Sequence, residues 1–177
     1  MAIKIEFETD KKLPSKLERL IQRQLSILPK EHLRGIDRLR IVDTIIDPRA
    51  RNLKQTGIPA LYHPRQAGGQ LAWLEISAST LFPVNIPWHQ KLVSRLSFKT
   101  NLAALVFSLV GQHYYLTLRH STKRTQLEPL IRTYAQQQMK RWSEQENKVR
   151  TKLFKPLEPT FERLARTLRK RTPKTDR

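Results

Sequence analysis

Apolar residues recur at two different periods along this 177-residue chain, and the switches between them predict an order of elements. Ile3, Ile5 and Phe7 alternate with Lys4 and Glu6, the period of a half-buried strand, so 2–8 is predicted as the first strand. Leu17, Leu20, Ile21, Leu25 and Leu28 then fall three and four apart on one helical face, and Pro29 ends a helix predicted over 15–28. A strand is expected over 38–46, which is rich in β-branched residues. The stretch 48–69 carries Pro59, Pro64 and the Gly68-Gly69 pair and reads as loop, with room for a short strand over 60–63. Another strand is predicted over 70–77, and Pro83 and Pro87 make 81–88 irregular. Phe98, Leu102, Leu105, Val106, Leu109 and Val110 return to helical spacing, with Ser97 or Thr100 as the cap and fraying near Tyr114 and Tyr115. A turn at Ser121-Thr122 leads to a last helix over 126–142, with Leu127, Leu130, Ile131, Tyr134 and Met139 inward. Trp73 and Trp142 read as core, and no internal repeat interrupts the pattern.

Beyond residue 147 apolar positions thin out. The chain therefore divides into a domain over 1–146 and a basic tail over 147–177. Within the tail Phe161, Leu164, Ala165 and Leu168 are spaced for one amphipathic helix between Pro159 and Pro173. Arg163, Arg166, Arg169, Lys170 and Arg171 line its other face and its end.

Charge changes the picture more than any other compositional feature. Lys and Arg number 34 against 15 Asp and Glu, a formal +19. A surface so charged concentrates polyanions around it, which points to nucleic acid, ribonucleoprotein or acidic membrane. A second group of cations, Arg49, Arg51, Lys54 and Arg65, falls in the predicted loops, and Arg119, Lys123 and Arg124 follow later. No base-reading module accompanies them, so binding is expected to track the backbone with little sequence preference. There is no cysteine, which excludes disulfides and thiolate metal sites, and no apolar run of membrane-spanning length. The opening residues read as a strand and not a signal peptide, and a cytoplasmic location is expected.

Motifs of position and order carry a resemblance. Leu102–Tyr115 reads LAALVFSLVGQHYY, an apolar helix ending in Gly, His and aromatic residues. Downstream, Glu128 opens a run ending in Tyr134-Ala135. Upstream, Leu28-Pro29 and Leu33 lead toward Ile36 and a strand, and Gly69 precedes a strand containing Ile76. Taken together, roughly residues 15–142 resemble a zincin-like metallopeptidase domain of the gluzincin type. In that family a helix carries H-E-x-x-H, whose two His bind zinc while the Glu polarises the bound water. A Glu on the following helix is the third ligand.

The resemblance implies a small α+β fold: a short mixed sheet packed on an N-terminal helix, the motif helix and a following helix, with the basic tail appended. It places Ser108 and Gln112 at the two His positions, Leu109 at the general base, Glu128 at the third ligand, and the 70–77 strand at the edge of the cleft. Serine and glutamine offer zinc neither an imidazole nor an anion, and leucine cannot accept a proton. His113 neighbours the second ligand position but is turned about 100° around the helix, away from Glu128. A site rescued by His113, His120 and Glu128 is the remaining route to a metal. The resemblance thus implies a non-catalytic relative with no cofactor. Its expected partner is a polyanion, or a peptide held in the former cleft by pairing with the edge strand. No nucleophile elbow, phosphate loop or dinucleotide fingerprint offers another chemistry.

Overall fold

The computed structural model describes residues 3–45, 57–65, 69–82, 87–118 and 124–154, except the side chains of 88–96, 124–125 and 148–154. The chain separates into a unit of Met1–Lys140 and one of Arg141–Arg177. The first is a small α+β domain. β1 (Lys4–Glu8) is followed by α1 (Leu17–Ile27), a 3-10 turn at Lys30–Leu33 and β2 (Ile36–Val42). β3 (Ala60–His63), β4 (Ala72–Ser77) and the single turn α2 (Ala78–Leu81) come next. α3 (Trp88–His113) then runs into a π-helical turn at Tyr114–Leu118, and α4 (Arg124–Phe154) closes the described chain, its residues 141–154 falling in the second unit. Trp142 is buried.

The four strands form one mixed sheet in the order β1-β2-β4-β3. β1 pairs with β2, and β2 with β4, in parallel; β3 closes the other edge antiparallel to β4. Parallel pairs need crossover connections, and α1 supplies the one between β1 and β2. Alternation then sorts the side chains. Leu39, Ile41, Leu74 and Ile76 point to one face and are fully buried, with Tyr62 beside them. On this face lie α1, through Leu17, Ile21 and Leu25, and α3, through Leu102, Val106, Leu109 and Val110. Gln24, buried on α1, donates to the Lys99 carbonyl of α3 at 3.2 Å and ties the two helices.

The opposite sheet face carries charge. Lys4, Glu6 and Glu8 on β1 are in register with Arg38, Arg40 and Val42 on β2. Lys4 meets Glu6 at 2.9 Å, Arg40 meets Glu8 closely and Glu75 at 3.7 Å, and His63 meets Glu75 at 2.8 Å. Trp73 stacks on His63 at 4.4 Å, with the Arg38 guanidinium 5.9 Å over its ring. The Lys4 hydrogen bond, aided by Arg38 and Arg40, pulls the Glu6 carboxyl below its ordinary range.

Several sequence expectations are corrected. The 70–77 strand is interior, because β4 has β2 on one side and β3 on the other; the edges are β1 and β3. Alternation reports which face is buried and says nothing of which neighbours pair. α3 begins at Trp88, so Ser97 and Thr100 lie inside it and cap nothing. Its start follows Pro87, whose fixed φ of −54° suits a helix entry. The irregular reading of 81–88 therefore fails at Trp88, and the one-turn helix Ala78–Leu81 precedes it. The expected fraying at Tyr114 and Tyr115 is instead a π-helical continuation. α4 extends to Phe154 despite Pro129 within it. The turn at Ser121-Thr122, Trp88's side chain and the helix expected between Pro159 and Pro173 lie outside what is described.

Candidate functional site

α3 presents two different sides near its C-terminal end. On one side His113 is fully buried. Its Nε2 lies 2.9 Å from the Arg34 carbonyl, and its Nδ1 lies 3.1 Å from the Tyr62 hydroxyl on β3. A carbonyl only accepts, so Nε2 carries the proton and Nδ1 accepts from Tyr62. The Tyr62 oxygen in turn accepts from the Thr117 hydroxyl at 2.8 Å. Thr117 belongs to the π-helical turn, whose widened winding sets the register of this last donor. Burial pushes the His113 imidazole below its ordinary pKa and the Tyr62 phenol above its own; the hydrogen bonds to Arg34 and Thr117 oppose these shifts only in part. Every polar atom in this chain of contacts has a partner, and the imidazole is held neutral.

The other side of α3 faces α4 across an open cleft of about 460 Å³. Ala104, Ser108 and Gln112, each one turn from the next, line it from α3; Glu128, Ile131, Ala135 and Met139 line it from α4. Gly111 is the point of close approach: a Cβ there would stand 2.9 Å from the Tyr134 ring. The glycine that interrupts the helical pattern is thus a packing contact between the two helices. Tyr134 also bonds His32 Nδ1 at 2.8 Å, which anchors α4 to the 3-10 turn, and the Tyr114 ring lies tilted against His32 with centroids 4.1 Å apart.

The positions singled out by their motif therefore share one cleft: Ser108, Gln112 and Glu128 all line it. Leu109, at the general-base position, is 1% exposed and belongs to the core. The donor set does not fit zinc. Two of the three candidates are neutral oxygen or amide donors. The third, Glu128, is 84% exposed on its side chain and paired with Arg132 at 3.4 Å, a cation beside the place a divalent ion would occupy. Among the described residues no three His, Cys, Asp or Glu are grouped to hold a metal. His113 cannot supply a ligand while both its nitrogens are engaged, and His120 lies outside the described residues.

Of the candidate polyanion contacts, Arg65 is exposed two residues after the end of β3, and Arg124 starts α4. Arg49, Arg51, Lys54, Arg119, Lys123, Arg163, Arg166, Arg169, Lys170 and Arg171 lie outside the described residues. Sequence reasoning missed the Tyr62–His113–Thr117 relay. Tyr62 and His113 are 51 positions apart, and the only local hint was an isolated histidine at the end of an apolar helix. No helix among the described residues is long and apolar enough to cross a membrane. No protein-family model, no curated protein and no solved structure matches the chain.

Proposed function

We propose that this chain is a non-catalytic, zincin-like scaffold of the cytoplasm that binds a polyanion, above all nucleic acid or ribonucleoprotein. The observation that carries the reading is the charge, +19 over 177 residues. The cleft adds support on the non-catalytic side: its donors do not suit zinc, and Leu109 cannot activate water. A fluorescence-anisotropy titration with labelled 20-nucleotide RNA of scrambled sequence tests it. Five phosphate contacts on a single strand imply roughly a hundredfold loss of affinity between 50 and 200 mM salt. Sequence should matter little. Absence of binding at low salt, or affinity indifferent to salt, would remove the proposal.

A second reading keeps a peptide- or protein-binding role but moves it from the cleft to the free edge of the sheet at β3. The placement of β3 favours it, since this strand has one unpaired side in the sheet and packs on α3. Pro59 and Pro64 flank β3 and limit pairing to a few residues. Under this reading a partner is retained after removal of residues 155–177 and lost on Leu61→Pro; the polyanion reading expects the truncation to weaken binding and Leu61→Pro to leave it.

A further inference from the structure

The positive charge is not spread evenly over the fold. Between Ile76 and Lys140 the chain holds eight Lys and Arg and a single acidic residue, Glu128. This segment supplies α2, α3 and the first half of α4. Lys99 on α3 and Arg132 and Lys140 on α4 are exposed. Lys91, Arg95 and Lys99 follow one another at four-residue steps along α3. The outer sheet face is built oppositely. Its cations, Lys4, Arg38 and Arg40, are matched by Glu6, Glu8 and Glu75 in one ion network. A phosphate approaching that face meets balanced charge, and at physiological salt it feels little beyond about 8 Å.

Resting on the polyanion reading, we infer that a nucleic-acid phosphate backbone binds the helical side of the domain, along α3 and α4, and not the outer face of the sheet. Glu128 then has a specific role. As the one carboxylate in this basic segment, it occupies Arg132 at 3.4 Å and subtracts from the attraction. A phosphate competes with Glu128 for the guanidinium, so removing the carboxylate strengthens binding. A metal-ligand role for Glu128 makes no such demand.

Charge-matched variants of the full chain test the placement, with the same labelled RNA titrated at several salt concentrations. Lys99→Gln and Lys4→Gln each remove one positive charge, one from the helical side and one from the sheet. Glu128→Gln and Glu8→Gln each remove one negative charge in the same arrangement. Lys99→Gln is expected to weaken binding about two- to fivefold and to flatten the salt slope by about 0.7. Glu128→Gln is expected to tighten binding about two- to fivefold, while the two sheet variants shift it less than twofold. Thermal melts by circular dichroism confirm that each variant is folded. Salt-dependent binding that responds equally to both members of each pair would overturn the placement and leave the polyanion reading intact. No binding by the parent chain at 50 mM salt would remove both.

Discussion

Ser108 and His113 stand five positions apart on α3 and meet opposite surroundings. His113 is sealed in the interior with a partner for each nitrogen. Ser108 lines an open cleft beside Gln112, Glu128 and the apolar side chains of Ile131, Ala135 and Met139. One side of the helix is finished as protein core; the other lines an open cleft whose candidate donors do not suit zinc. The fully buried apolar residues of α3 lie on the first side, while Ala104, Ser108 and Gln112 on the second are only half-buried. Neighbouring residues should therefore respond very differently to substitution.

The largest contrast is expected between Leu109 and Ser108. Leu109→Ala should cost about 2–5 kcal/mol, by lost transfer energy and an incompletely collapsed cavity. Ser108→Ala should stay within about 0.5 kcal/mol, as at other partly exposed positions. Urea unfolding of both variants measures the difference. Equal costs would mean that the cleft side is structural too.

A second experiment rebuilds the cleft. The double variant Ser108→His plus Gln112→His places two imidazoles one turn apart facing native Glu128, the ligand count of a catalytic zinc site. It should take up one zinc per chain by elemental analysis. At a zinc concentration of 100 Kd it should gain about 2.7 kcal/mol of stability. A folded double variant that takes up no zinc would show that α3 and α4 do not aim these positions at one point, and the zincin resemblance would lose its main support.

How much of this could be read from the sequence follows from what sequence patterns encode. Periodicity reports burial on a face, and it located β1, α1, β2, β4 and the apolar side of α3. A glycine inside a helical pattern marks either close packing or a chain end, and at Gly111 the Tyr134 ring decides for packing. The meeting of Ser108 and Gln112 in one cleft follows from their four-residue spacing. Strand order is a property of the whole sheet, and the interior position of β4 left no local mark. The π-helical turn had none either, since Tyr114–Leu118 contains no glycine or proline to announce a change of winding. Thr117, which completes the relay, lies in that turn, so the buried chain of His113, Tyr62 and Thr117 was invisible one residue at a time.

Smaller effects probe the finished side. Tyr62→Phe deletes the hydroxyl between His113 Nδ1 and Thr117 while keeping the ring. Leaving a buried acceptor without its donor should cost about 1–3 kcal/mol in unfolding experiments. A loss near zero would mean that water replaces the hydroxyl and that the relay is not closed.

The smallest expected effect is a dependence on pH. Burial lowers the folded pKa of His113, so the unfolded chain takes up this proton first as pH falls. Above an unfolded value near 6.5 both states are neutral and the stabilisation is fully present. As pH falls from there toward the depressed folded value, the unfolded state binds more protons than the folded one, and stability declines. Protonation would give Nδ1 a hydrogen pointing at a hydroxyl that already donates to it, so Tyr62 would have to reverse and Thr117 with it. Melting temperatures between pH 7.5 and 5 should therefore fall in the parent chain and fall less in His113→Gln, which removes this titration. Identical pH profiles for the two proteins would show that His113 shares its cavity with a group able to accommodate the charge, and would reduce the contrast with Ser108 from one of chemistry to one of burial alone.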